Sequence, residues 1–117
     1  EKIKIGRFEE IVAWQKARDL TLRLYSIFKE NKDFGFRDQI CRASVLIMNN
    51  IAEGFERRSD KEFKHFLFVA KGSSGEVRSM LHLAAGLKYI DDEQYTELID
   101  SASDVSKLIP DLIKTLS

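Results

Sequence analysis

Apolar residues recur at alternating steps of four and three along four separate stretches of this chain, and that spacing admits little besides a bundle of helices. At 3.6 residues per turn, such steps keep side chains on one helical face, whereas a half-buried strand needs a step of two. In the first stretch, about Phe8 to Asn31, the face holds Ala13, Ala17, Leu20, Leu24, Ile27 and Phe28. In the second, about Phe36 to Arg57, it holds Phe36, Ile40, Ala43, Ile47, Ile51 and Gly54. The third runs to about Lys88 with Phe63, Leu67, Ala70, Ser74, Val77, Leu81 and Ala84 in phase. The fourth, about Asp92 to Leu116, repeats the pattern with Leu98, Ala102, Val105, Ile109, Leu112 and Leu116.

The punctuation between these stretches agrees with the phase. Asn31 to Gly35 supplies turn residues. Ser59 followed by Glu62 reads as a capping box opening the third helix, and Asp91 with Gln94 as a cap on the fourth. Gly72-Ser73-Ser74-Gly75 resembles a linker, but a loop there would scramble the phase on one side of it. It is read as helix, with its small residues at a close crossing. Gly54 lies in the stripe itself, where a missing side chain lets another backbone approach. Pro110 predicts a bend or a helix end near Ser106 to Pro110. Short connections make neighbours antiparallel, so the expected fold is all-α, an antiparallel up-down-up-down four-helix bundle. Residues 1–7 lack helical periodicity and predict a loose or strand-like tail ahead of one domain over 8–117.

Composition narrows the function classes. The 117 residues are 44% hydrophobic, enough for one core, and 32% charged. Formal net charge is zero, but residues 1–88 hold 17 Lys/Arg against 12 Asp/Glu, while residues 89–117 hold two against seven. Two halves of one bundle can attract each other through that split, or the basic part can serve nucleic acid. Cys41 is the only cysteine, so an internal disulfide and a cysteine metal site are excluded. No apolar run reaches the ~20 residues of a membrane span and no leader opens the sequence, so a soluble cytoplasmic protein without membrane contact is expected.

Enzyme chemistry finds no foothold. Glu62 and His65 form one Glu-x-x-His pair, but a di-metal bundle needs two. There is no Gly-x-Ser-x-Gly elbow and no phosphate loop ending in Lys-Ser/Thr. No catalytic residue, metal, cofactor or small-molecule substrate is expected. Three surfaces remain. The second helix carries a polar cluster of Gln39, Arg42, Asn49, Asn50 and Glu53, which can meet Ser73 and Glu76. It reads as a hydrogen-bond network fixing helix register, with Glu53 buried against Arg42, or as a ligand or oligomer contact. A basic ridge recurs every seven residues at Lys64, Lys71 and Arg78, with Lys61 and His82 beside it and Arg57 and Arg58 extending it. It reads as a solvated face or as a track for an RNA backbone. Finally, Ile11, Trp14, Leu22 and Tyr25 form a second apolar strip on the first helix. They widen the internal seam or meet another subunit.

The runs Gln39-Ile40-Cys41-Arg42-Ala43-Ser44 and Asn50-Ile51-Ala52-Glu53-Gly54, with Phe63-x-x-Phe66-Leu67, Ala70-x-Gly72-Ser73 and Glu76, resemble the four-helix-bundle proteins encoded in intervening sequences of bacterial 23S rRNA genes. Phe8-x-x-Ile11-x-x-Trp14 and Leu87-x-Tyr89-Ile90 are similar too, and the likeness covers about Phe8 to Leu116. It implies a four-helix bundle, a homopentamer, no established catalysis, and a relation to nucleic-acid-binding accessory proteins of diversity-generating retroelements. Those accessory proteins are strongly basic, whereas this chain is neutral. Together these readings predict a non-enzymatic oligomeric bundle binding RNA or a ribonucleoprotein, with a pure protein-assembly module as the alternative.

Overall fold

The computed structural model describes residues 5–116, and all of the regular structure among them is helical. A 3-10 turn at Phe8–Glu10 precedes α1 (Val12–Phe28), followed by α2 (Phe34–Glu56), α3 (Asp60–Gly86) and α4 (Asp92–Lys114). Each helix packs on its neighbours in the chain, and α4 closes the ring against α1. This is the antiparallel four-helix bundle that the spacing predicts, 46 Å long and about 20 Å across. No helix among the described residues is long and apolar enough to cross a membrane.

The predicted seams fill the core. Leu20, Leu24, Ile40, Ile47, Ile51, Leu67, Leu81, Leu98 and Ile109 are fully buried. Each such side chain stabilises the fold by about 1.5–3 kcal/mol relative to exposure. Polar groups in the seam are satisfied locally. Thr21 Oγ1 donates to the Ala17 carbonyl at 2.8 Å, and Ser44 Oγ to the Cys41 carbonyl at 2.7 Å. The Ser74 and Ser106 hydroxyls pair across α3 and α4.

Helix ends depart from the sequence reading in instructive ways. The first helix is not continuous from Phe8, because Ile11 has extended backbone and separates the 3-10 turn from α1. At the α3 start Ser59 Oγ accepts from the Glu62 amide at 3.2 Å, but the Glu62 carboxylate meets the Ser59 hydroxyl rather than its backbone. The reciprocal box forms instead at α4, between Asp91 and Gln94. Helix α4 continues through Pro110 to Lys114, so the helix does not end at the proline. Pro110 and Ser106 lie half-buried at the bundle's edge, which lowers the cost of the missing bond. Of the predicted tail, residues 1–4 lie outside the described residues, and Ile5 packs against the core.

Glycines sort into two kinds. A Cβ at Gly54 would stand 2.8 Å from Phe66 Cβ, 2.9 Å from Phe63 Cδ1 and 3.3 Å from the Phe63 carbonyl oxygen. The close α2–α3 approach is therefore here. Gly72 and Gly75, expected at the crossing, meet nothing within 4 Å. The same phase that buries Ala70, Ser74 and Val77 turns these two glycines outward.

Candidate nucleic-acid interface

Because Leu67, Ala70, Ser74, Val77 and Leu81 point into the core, the remaining positions of α3 form a long outer face. Lys61, Lys71 and Arg78 are exposed on it, and Lys64 is half-buried. From Lys64 to Arg78 the row spans about 21 Å at 1.5 Å per residue. None of these four, nor exposed Arg58, is in an ion pair or side-chain hydrogen bond with a described residue. The carboxylates of α4 do not neutralise the row. The one ion pair that α4 makes among the described residues is Glu97 with Arg23 of α1, at 2.6 Å.

Two features of this face escape a reading of charges alone. Phe68 stands 55% exposed between Lys64 and Lys71, an aromatic ring set among cations. The outward glycines also leave the α3 backbone bare beside Lys71 and Arg78. The signal for both was in the sequence, since Phe68, Gly72 and Gly75 fall outside the α3 stripe. His82 is engaged, with its Nδ1 3.1 Å from the Tyr95 hydroxyl. Arg57 is engaged too. Its guanidinium binds Glu53 at 2.7 Å, lies 4.0 Å from Glu62 and stacks 4.7 Å over Phe66. Of the seven ridge residues expected from sequence, five make no ion pair or side-chain hydrogen bond with a described residue.

The polar cluster is not a buried network. Glu53 is 54% exposed and pairs with Arg57, one turn on, rather than with Arg42. Arg42 and Asn49 are also exposed, Asn50 is half-buried and bonds its own helix at the Leu46 carbonyl, and Ser73 is buried. Only Gln39 and Glu76 join across α2 and α3, at 3.2 Å. The buried α2 stripe of Ile40, Ile47, Ile51 and Gly54 fills the core, so Arg42, Asn49 and Glu53 fall on its solvent flank.

The apolar strip on α1 splits as well. Ile11 is 3% exposed within the core, and Trp14 packs on it with an edge-to-face contact to Phe8 at 5.1 Å. Leu22 and Tyr25 alone face outward, each more than half exposed. Ile11 is thus part of the core, and Trp14 is half-buried against it.

The face offers charge, one aromatic ring and bare backbone. Among the described residues there is no group of three His, Cys, Asp or Glu side chains close enough to hold a metal ion. A family model described as 23S rRNA-intervening sequence protein matches residues 9–111. The chain belongs to this family. Among solved structures, it is similar to a crystal structure of a protein of unknown function from the S23 ribosomal protein family of Bacteroides thetaiotaomicron. The two share 28% identity over 88% of this chain and 99% of that one, with a TM-score of 0.82. A search of the curated proteins finds no match. The resemblance read from the Asn-Ile-Ala-Glu-Gly segment and the α3 residues therefore leads to the right family.

Proposed function

We propose that this protein is a non-enzymatic, oligomeric helical bundle that binds RNA, or RNA within a ribonucleoprotein, along the outer face of α3. One observation carries the reading: Arg58, Lys61, Lys64, Lys71 and Arg78 line that helix and its start without a carboxylate partner among the described residues. Unpaired cations in a row release counterions when a phosphate backbone replaces solvent ions. Phe68 adds a ring on which an unpaired base stacks. The family description and the neighbour's family name both refer to ribosomal material, which supports the same choice of ligand. Neutral net charge limits the strength of such binding rather than its location.

The test is a titration with a structured RNA hairpin across a salt series. Binding should weaken steeply with salt, and Lys71→Glu with Arg78→Glu should flatten the log–log slope by about one for each phosphate contact removed. Absence of binding at low salt would overturn the proposal. Assembly is tested separately by light scattering, where the family likeness leads us to expect a pentamer mass. A strict monomer at high concentration would remove the oligomer from the reading. The exposed apolar side chains Val69 and Leu83 of α3, and Leu87 just past its end, favour a second reading, a protein-assembly surface, for the same helix.

A further inference from the structure

On the other side of the molecule, α1 and α2 leave a groove of about 360 Å³ lined by Tyr25, Lys29, Arg37, Asp38, Cys41 and Arg42. Three cations share it with one carboxylate, a balance of +2. The carboxylate is already committed, because Asp38 pairs with Arg37 at 3.1 Å. Arg37 is further fixed by stacking 4.8 Å over the Phe34 ring. Lys29 and Arg42 make no ion pair or side-chain hydrogen bond with any described residue. Beside them Tyr25 is 52% exposed. The floor of the groove is the buried Cys41 thiol, whose pKa burial pushes up from its ordinary value, with Asp38 adding to that push and Arg37 opposing it.

We propose that this groove binds a nucleoside phosphate, with the phosphate held by Lys29 and Arg42 and the base lying on Tyr25. An exposed aromatic ring next to two unpaired cations offers both halves of such a ligand a partner, stacking for the ring and charge for the phosphate. The volume lies at the low end of small-ligand sites, large enough for one nucleotide and too small for a folded partner's side. A free nucleotide and one nucleotide of an RNA strand present the same chemistry here. The inference is independent of the α3 reading, because the two sets of residues share no member.

Cys41 makes the site reportable. It is the only thiol in the chain and lines this groove, so its alkylation by iodoacetamide slows when the groove is filled or when the bundle opens less often. The intact protein is alkylated with and without ADP, a ten-nucleotide oligoadenylate, or inorganic phosphate. The ratio of the two rates cancels any effect of a variant on the thiol's own access. ADP or the oligonucleotide at millimolar concentration should slow the reaction. Tyr25→Ala should weaken that protection about tenfold or more, and Lys29→Glu with Arg42→Glu should abolish it. Protection by the oligonucleotide at a much lower concentration than ADP assigns the strand as the source, and the reverse assigns the free nucleotide. The proposal is overturned if neither protects, if phosphate alone protects as well as ADP, or if the Lys29/Arg42 variant is protected like the parent. Loss of protection on Lys71→Glu with Arg78→Glu would also overturn it, by moving the ligand to α3. Failure of hairpin binding at α3 leaves the groove result untouched.

Discussion

Asp33 joins two connections at one end of the bundle. Its carboxylate accepts the Phe36 amide at 3.2 Å, capping α2, and the Tyr89 hydroxyl at 2.6 Å. The Tyr89 hydrogen bond, followed by the Phe36 amide, holds the Asp33 carboxyl below the usual carboxylate range, against a smaller opposing push from burial. A carboxyl whose folded pKa is depressed contributes stability that is present above its unfolded value, about 3.9, and lost as pH falls through the folded value. Tyr89→Phe should therefore raise the Asp33 pKa toward the ordinary range in an NMR titration, and an unchanged value would refute the bond. The neighbouring Lys88 sits at φ 61°, after which Tyr89 N–H bonds the Ala84 carbonyl and Lys88 N–H the Ala85 carbonyl. That is a Schellman ending with a lysine where glycine is favoured. Lys88→Gly should raise stability by about 0.5–1 kcal/mol in a denaturant melt, and a loss would show that the side chain has a role there. Neither feature was legible in the sequence. Asp33 was visible as a turn residue, but its second partner lies 56 positions away.

At the scale of helices, the seams were legible because burial follows the three–four step, and nearly every predicted stripe position is buried. What the step cannot fix is which neighbour each flank meets. Position along the helix pairs Glu53 with Arg42, whereas the side chain reaches Arg57 on its own helix, and it puts Gly72 and Gly75 at a crossing, whereas the close approach is at Gly54. The basic ridge was legible as a period of seven, but Phe68 only acquires meaning once its ring is seen in the open. The α1–α2 groove was missed because its cations come from two helices and follow no single period. The glycine contrast yields opposite signs for one substitution. Gly54→Ala forces a methyl against Phe63 and Phe66 and should cost about 1–3 kcal/mol. Gly72→Ala adds a methyl in open space within a helix and should gain about 0.5–1 kcal/mol. Thermal melts of the two variants shifting in the same direction would contradict the assigned helix phase.

At the scale of the whole molecule, a neutral total conceals a spatial division. Cations with no ion-pair partner among the described residues line α3 and the α1–α2 groove, whereas α4 carries six exposed acidic residues against two lysines. Charge of this kind steers partners to particular faces while leaving the average field weak. The helices form a ring in which α1 meets α2 and α4, and α3 meets the same two, so neither diagonal is bridged. The Tyr89–Asp33 bond therefore acts as a clasp between the α1–α2 and α3–α4 connections. Tyr89→Phe should therefore speed amide exchange in the last turn of α3 more than in its first. The reverse order would refute the clasp. A single phenol hydroxyl thus latches both helix pairs at one mouth, so any change that removes it loosens the two connections together.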